Sequence, residues 1–324
     1  MAKKKKKILL IILGILLTLI VVLGSAILIT FNNISSNFKK ETVKHEDLGI
    51  NKEEISKYDS SSEIVNIALF GIDSTDENSG RSDTIMLATL DSVHNKLKLT
   101  SFMRDSYVAI EGHGDDKMNH AYAFGGPTLA LNTLNTNFGL NVDKFITVDF
   151  TSLPKIIDRL DGVDIDIKEY EINSMNSAIK NVNKLTKSNA ELITQAGTQH
   201  LNGAQALAYS RVRHVGNGDF ERTERQRTVL TALFNKAINI SPTEYYGILS
   251  DLSSEITTNI TTTDLLSLST KAASLGIGGV TIEQERFPRD NECSGTMING
   301  VYYLSFDRET TKNQVMEYIF NDKK

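Results

Sequence analysis

Three groups of charged residues in this 324-residue chain could do chemistry. The first is Gly71-Ile72-Asp73 followed by Arg81-Ser82-Asp83-Thr84. Asp73 falls at the end of one apolar run and Asp83 at the start of the next. Ligands of open α/β sheets gather at such strand ends. Two carboxylates brought together there repel unless a cation lies between them. Hard oxygen donors, completed by water and phosphate, suit Mg²⁺ (or Mn²⁺). On spacing alone the same two acids could equally cap turns. The second group is Arg104-Asp105, directly after the run 97–103, with Lys117 in Lys117-Met118-Asn119-His120-Ala121-Tyr122. Arg104 could face a ligand or pair with Asp105 or Asp83. Lys117, taken alone, also fits a solvated surface.

The third group carries the most information. Tyr209-Ser210-Arg211-Val212-Arg213 is followed by Gly218-Asp219-Phe220-Glu221-Arg222-Thr223-Glu224-Arg225-Gln226-Arg227. Arginines two apart face the same way if the backbone is extended, with Val212 turned to the core. On a helix, Asp219, Arg222 and Gln226 share a face, Arg225 lies about 60° beyond Arg222, and Arg227 points toward solvent. Converging arginines require an anion. Guanidinium binds phosphate through two parallel hydrogen bonds, and a diphosphate offers oxygens for several such forks. A surface helix striped with Arg–Glu pairs, such as Glu221 and Arg225, would explain Arg225 but not Arg211 and Arg213.

These residues need a frame. Apolar runs at 64–70, 84–90, 97–103 and 145–150 read as strands, with a turn near His94-Asn95. Pro127 suits the first turn of a helix that Gly139 ends. A short helix at 152–160 and an alternating strand at 163–167 follow. Residues 171–195 suggest a helical excursion or flap. Asn202 is a candidate N-cap for a helix through Tyr209, and 220–240 is the longest helical pattern. Helices near 243–254 and 262–274, a strand at 280–287 and a helix from Glu309 complete the series. Residues 63–324 therefore read as one α/β domain.

At the N-terminus, Lys3 to Lys7 precede an uncharged apolar run, 8–31. That run is long enough to span a hydrocarbon core of roughly 30 Å. Lysines before it and none just after place a basic tail, 1–7, in the cytoplasm. A cleaved signal peptide would have a shorter apolar region. The expected arrangement is a single-pass plasma-membrane protein: an anchor at 8–31, a juxtamembrane stalk at 32–62 and an extracytoplasmic domain after it. The net charge of −5 argues against a nucleic-acid partner. The one cysteine, Cys293, reads as a small buried hydrophobe, and no intramolecular disulfide is possible. The six histidines show no zinc spacing. The chain has no GxxxxGK[ST], no GxGxxG after a strand and no GxSxG, so nucleotide hydrolysis and serine-esterase chemistry have no support.

Taken in order, the segments 67–74, Arg81-Ser82-Asp83-Thr84, 101–108, 117–122, Gly125-Gly126, Gly162-Val163-Asp164, Leu201-Asn202-Gly203 through Arg213, and Gly218-Asp219-Phe220 to Gln226 resemble the LytR-CpsA-Psr family of envelope proteins. The likeness covers about residues 64–235. Met103 stands where the family has proline, and Asp161 where it has glycine. The tail after about residue 240 matches only loosely.

The resemblance implies a mixed β-sheet flanked by helices, with an apolar tunnel for a polyprenyl chain. It implies a phosphotransferase that moves a glycopolymer, such as teichoic acid or capsular polysaccharide, from a polyprenyl diphosphate carrier to peptidoglycan. By position, Asp73 and Asp83 would hold Mg²⁺. Arg81, Arg104, Lys117, Arg211, Arg213, Arg222 and Arg225 would surround the diphosphate, and Asp219 and Gln226 would orient them. Asp105 and Asp83 are candidate general bases. A phosphohydrolase using water at the same site, or a non-catalytic regulator or lipid receptor, are the alternatives.

Overall fold

The computed structural model describes residues 32–73, 80–213, 215–274 and 281–324. The expected basic tail and membrane span, 1–7 and 8–31, lie outside the described residues. Among those residues no helix is long and apolar enough to cross a membrane.

The strands in chain order are β1 (Lys39–Lys40), β2 (Ile64–Ile72), β3 (Ser82–Asp91), β4 (Lys96–Phe102), β5 (Tyr107–Ile110), β6 (Gly114–Lys117), β7 (Lys144–Asp149), β8 (Val163–Ile167), β9 (Gly197–Leu201), β10 (Thr257–Thr258), β11 (Thr281–Phe287), β12 (Cys293–Ile298) and β13 (Val301–Phe306). Seven of them form one sheet in the order β1-β10-β7-β2-β3-β4-β11. It is mixed: β2 runs parallel to β7 and antiparallel to β3, and β4 runs parallel to β11. Two hairpins, β5–β6 and β12–β13, and the antiparallel pair β8–β9, whose strands flank the Ile172–Thr186 helix, stand outside it.

Side chains alternate across a strand, and β2 uses both faces. Ile64, Ala68, Phe70 and Ile72 join one core with Leu131, Leu134 and Phe138 of the His120–Phe138 helix and Val315 and Ile319 of the Arg308–Asn321 helix. Leu69 and Gly71 line a cavity on the side opposite this core. Past the cavity lies a second core. It is built from Ile157, Leu207, Val229 and Leu233 on helices Ser152–Arg159, Gly203–Ser210 and Asp219–Ala237, with Val163, Ile165 and Ile167 of β8. Each fully buried side chain of this size contributes about 1.5–3 kcal/mol. The two cores hold the sheet and the helix layer apart around the space between them.

Several expected elements appear with small shifts. Asn202 caps its helix through a reciprocal box: its side chain accepts from Gln205 N at 2.9 Å, and Gln205 Oε1 accepts from Asn202 N at 3.0 Å. Pro127 does begin a straight segment, because Gly125 and Gly126 (φ 61°) break the His120–Phe138 helix just before it. Residues 171–195 supply the Ile172–Thr186 helix, whose Met175, Ile179 and Val182 are buried in the second core, so this excursion is packed down. The expected stalk, 32–62, is also packed. Leu48 and Ile55 enter the first core, β1 pairs with β10, and Asn135 Nδ2 donates to Leu48 O at 2.8 Å. Its polar composition hid a few well-spaced apolar anchors. Cys293 is half-buried at the head of β12, not fully buried.

Candidate active site

The acidic side of the site is made by a fault in the β2–β3 ladder. Gly71 pairs with Thr84 but Ile72 pairs with Ser82, so Asp83 is the extra residue of a bulge. Bulges re-aim side chains, and Asp83 turns toward the helix layer. A Cβ on Gly71 would meet Thr84 Cβ at 2.9 Å, so glycine is what lets the two strand ends close. Asp73 follows directly, with its backbone N donating to Arg81 O at 3.3 Å, and its side chain is exposed.

The basic side comes from the bend after β4 and from the Asp219–Ala237 helix. Arg104 Nη1 donates to Asp83 Oδ1 at 2.7 Å and Nη2 to Asp219 Oδ2 at 3.1 Å. Arg222 Nη2 donates to Asp83 O at 2.8 Å, and its Nη1 lies 3.3 Å from Asp219 Oδ1. Arg213 Nε lies 3.2 Å from Asp219 Oδ1. Asp219 sits in the first helical turn, where the helix dipole favours an anion. Burial works to raise its carboxyl, but Arg104, Arg222 and Arg213 outweigh that and hold it below the usual range. Burial lowers Arg222 to about 10, which leaves it cationic at neutral pH. Burial also lowers Arg211, against the pull of Asp83 and Asp73.

Arg211 packs its guanidinium 4.2 Å from the Phe150 ring. Its backbone is helical, as the C-cap of Gly203–Ser210, where an extended one was expected. Even so, Arg211 and Arg213 reach the same cavity, and Val212 is buried as expected.

Asp73, Asp83, Arg211, Arg213, Arg222 and Gln226 all line the mouth of one cavity of about 480 Å³. Its remaining walls are almost wholly apolar: Leu69, Ile146, Val148 and Phe150 from the sheet side, and Leu153, Val229, Leu230, Leu233 and Phe234 from the helices. One donor at this end, Arg213 Nη2, is buried without a hydrogen-bond acceptor, with Asp83 Oδ2 3.8 Å away. An unsatisfied guanidinium donor and three arginines beside a greasy slot fit an amphiphile with an anionic head.

Other expected ligands stand apart. Arg225 is a structural residue. It is 3% exposed, donates to Glu171 Oε1 and Glu221 Oε2 at 2.7 Å each, and bonds Val212 O at 3.3 Å. Glu171, distant in sequence, captures it and clasps the 172–186 excursion to the arginine helix. Arg227, expected in solvent, is buried against Gln284 of β11 at 3.4 Å, because β11 packs under that face. Lys117 is held by Asp105 at 2.7 Å, and Asp105 also lies 3.3 Å from Arg104 Nε, one layer behind the cavity mouth. Arg81 is exposed at the start of β3.

Sequence reasoning missed Phe150, the stacking floor under Arg211, although it ended a run already read as a strand. The β12–β13 hairpin beside Asp105 was also missed, with Leu304 N donating to Asp105 O at 2.8 Å. A metal-like cluster of Asp91, His94 and Asp322 lies elsewhere. The Lys98 ammonium already fills it, 2.7 Å from Asp91 and 3.1 Å from Asp322.

Comparison with known proteins agrees with this geometry. The sequence model of the LytR_cpsA_psr family matches residues 27–319. A polyisoprenyl-teichoic acid–peptidoglycan teichoic acid transferase TagU of Bacillus mycoides (strain KBAB4) is 35% identical over 253 residues, covering 75% of this chain and 76% of that protein. The regulatory protein MsrR of Staphylococcus aureus (strain COL) is 37% identical over 177 residues, 54% of this chain and 50% of that relative. A solved structure of the LytR-CPS2A-psr family protein YwtF (TagT) with bound octaprenyl pyrophosphate lipid is 26% identical. It superposes with a TM-score of 0.58 over 80% of this chain and 90% of that one. With the α/β fold, the ordered motifs and the polar-mouthed cavity in place, the chain belongs to the LytR-CpsA-Psr family.

Proposed function

We propose that this protein transfers a glycopolymer from a polyprenyl diphosphate carrier to a hydroxyl of peptidoglycan. The observation that carries the reading is the union of an apolar cavity with a mouth of arginines and carboxylates. A polyprenyl chain matches the walls, and a diphosphate matches Arg211, Arg213 and Arg222. The TagU relative bears the name of that reaction, and the TagT structure holds a polyprenyl pyrophosphate.

In the step proposed, an acceptor hydroxyl oxygen attacks the phosphorus that carries the glycopolymer. A new P–O bond forms, and the bond from that phosphorus to the bridging oxygen breaks. Polyprenyl phosphate leaves with the electron pair, and the hydroxyl proton passes to a base. Such transfers need alignment and charge neutralisation more than covalent help from the protein. Arg222 and Arg213, with their charges fixed by Asp219, are preorganised to stabilise the leaving phosphate. Arg104 ties Asp83 and Asp219 into one frame.

Asp73 and Asp83 offer two hard oxygen donors at the cavity mouth, which fits Mg²⁺ (or Mn²⁺). When bound there, the ion would neutralise diphosphate oxygens. Asp105 acts as a positioning residue, since Lys117 and Arg104 already engage its oxygens. The lipid carrier never leaves the bilayer, so the reading includes the anchor at 8–31, a cytoplasmic tail at 1–7 and a domain outside the cell, as Lys3 to Lys7 suggest.

The test supplies a lipid-linked donor with and without peptidoglycan strands. Conjugate formation that requires acceptor is expected. Phosphate release indifferent to acceptor, with no conjugate, would leave the phosphohydrolase reading in its place.

A further inference from the structure

In an in-line displacement the acceptor hydroxyl approaches opposite the leaving group. On the reading above, the leaving polyprenyl phosphate belongs to the cavity side of Asp83 and Arg222. The acceptor therefore comes from the other side, that of Arg104, Asp219 and the buried Asp105, none of which lines the cavity. Joined to the chain at that point is the β12–β13 hairpin, fixed by Leu304 N to Asp105 O at 2.8 Å and a bridge between Ser106 and Leu304. Leu304 is buried, while Tyr302 is 45% exposed and its cross-strand partner Met297 is 64% exposed.

The Tyr302 ring reaches across the hairpin to Gly295. A Cβ on Gly295 would stand 2.7 Å from Tyr302 Cε2, so the missing side chain makes room for the ring across the hairpin. The Cε2, Cζ and Oη atoms lie over Gly295, and the residue as a whole stays 45% exposed. Tyr302 is also coupled to the reaction centre. Its hydroxyl is raised by burial first, then by the charges of Asp105 and Asp219. Lys117 Nζ, the Asp105 partner, lies 5.9 Å from the ring centroids of both Tyr302 and Tyr303. From there the contacts continue outward. Tyr303 Oη donates to Asp116 Oδ1 at 3.2 Å, His120 Nδ1 lies 2.8 Å from Asp116 Oδ2, and His120 lies 5.7 Å from the 45% exposed Phe124.

We propose that this strip, from Tyr302 at the reaction centre to Phe124, is the seat of the acceptor glycan strand. Pyranose rings have apolar C–H faces and polar edges, which suit exposed aromatic rings flanked by Asp, Lys and His. An extended polymer needs successive subsites rather than one pocket. Tyr302 then holds the sugar nearest the attacked phosphorus, and Phe124 holds a more distant one. The proposal rests on the transferase reading but makes a separate demand on binding.

The test is calorimetric titration of the full-length protein in detergent with soluble, uncrosslinked peptidoglycan strands, paired with initial rates. Tyr302→Ala is expected to weaken strand binding and raise the acceptor KM about tenfold, with kcat at saturating acceptor and donor KM nearly unchanged. Tyr302→Phe and Tyr302→Trp should restore binding. Phe124→Ala should weaken long strands and leave a disaccharide unit unaffected. Unchanged strand affinity in Tyr302→Ala, or a shift in donor KM instead, overturns the proposal. A wild-type protein that binds strands through Tyr302 but forms no conjugate would sink the transferase reading while supporting this seat.

Discussion

At the scale of single residues, the site separates acids that hold arginines from arginines that wait for a ligand. Asp83 takes Arg104 at 2.7 Å and Arg222 at 3.6 Å. Removing its carboxylate takes away one of the two donors offered to Mg²⁺ but leaves the arginines, so Asp83→Ala should lower turnover about 100-fold or more while donor binding largely survives. Initial rates beside direct lipid-binding measurements check this, and envelope attachment at the wild-type rate would contradict it. Arg225 makes the opposite prediction. Its loss strands Glu171, itself buried, so Arg225→Ala should destabilise the fold by about 3–5 kcal/mol, read as a lower denaturation midpoint. Asp219 gives a pH dependence. A carboxyl held below its ordinary value contributes stability that is complete above about pH 4 and is lost as pH falls through the lowered value. The melting-temperature gap between wild type and Asp219→Asn should therefore be widest near neutrality and close on acidification below about pH 4. These residues were legible because arginine has few uses so close to carboxylates. Arg225 misled because helical phase places it beside Arg222, and only the chain fold brings Glu171 to meet it.

At the scale of elements, local chemistry fixed most boundaries. The Asn202 capping box, the Gly139 stop and the alternation at 163–167 are interactions within a few residues, and each appears where the sequence implies it. Asn202→Ala should cost about 1 kcal/mol, a shift of a few degrees in thermal melting. Gly203 is a sharper case. A Cβ there would fall 2.1 Å from Pro154 O, where the Gly203–Ser210 and Ser152–Arg159 helices meet. Gly203→Ala should split these helices and prevent soluble expression. Normal expression with an unchanged melting temperature would contradict that packing. The hairpins went unseen for a physical reason. β5, β6, β12 and β13 are four to six residues long and half exposed, and only the Ser106–Leu304 bridge ties the two hairpins together, although Asn299-Gly300, at φ 51° and 79°, marks the β12–β13 turn. The 32–62 segment was misread for a related reason: it donates only a few apolar anchors to a core built by other elements.

For the whole molecule, the account turns on two cores that do not meet. The sheet packs one face on the His120–Phe138 and Arg308–Asn321 helices, and the second helix layer packs on itself and the β8–β9 strand pair. What lies between is a slot with an ionic mouth. No periodicity in the sequence encodes that void, since its walls read like any core. Only the family likeness anticipated it. A bulky side chain at Leu230 or Ile146, pointing into the slot, should abolish polyprenyl binding while leaving the cores intact. The most direct measurement is a crystal structure of the protein with a polyprenyl diphosphate. The account predicts the lipid chain against Ile146, Leu230 and Leu233, and the phosphates between Asp73 and Asp83 on one side and Arg211, Arg213 and Arg222 on the other. A lipid bound elsewhere, with this cavity left to water, would contradict it.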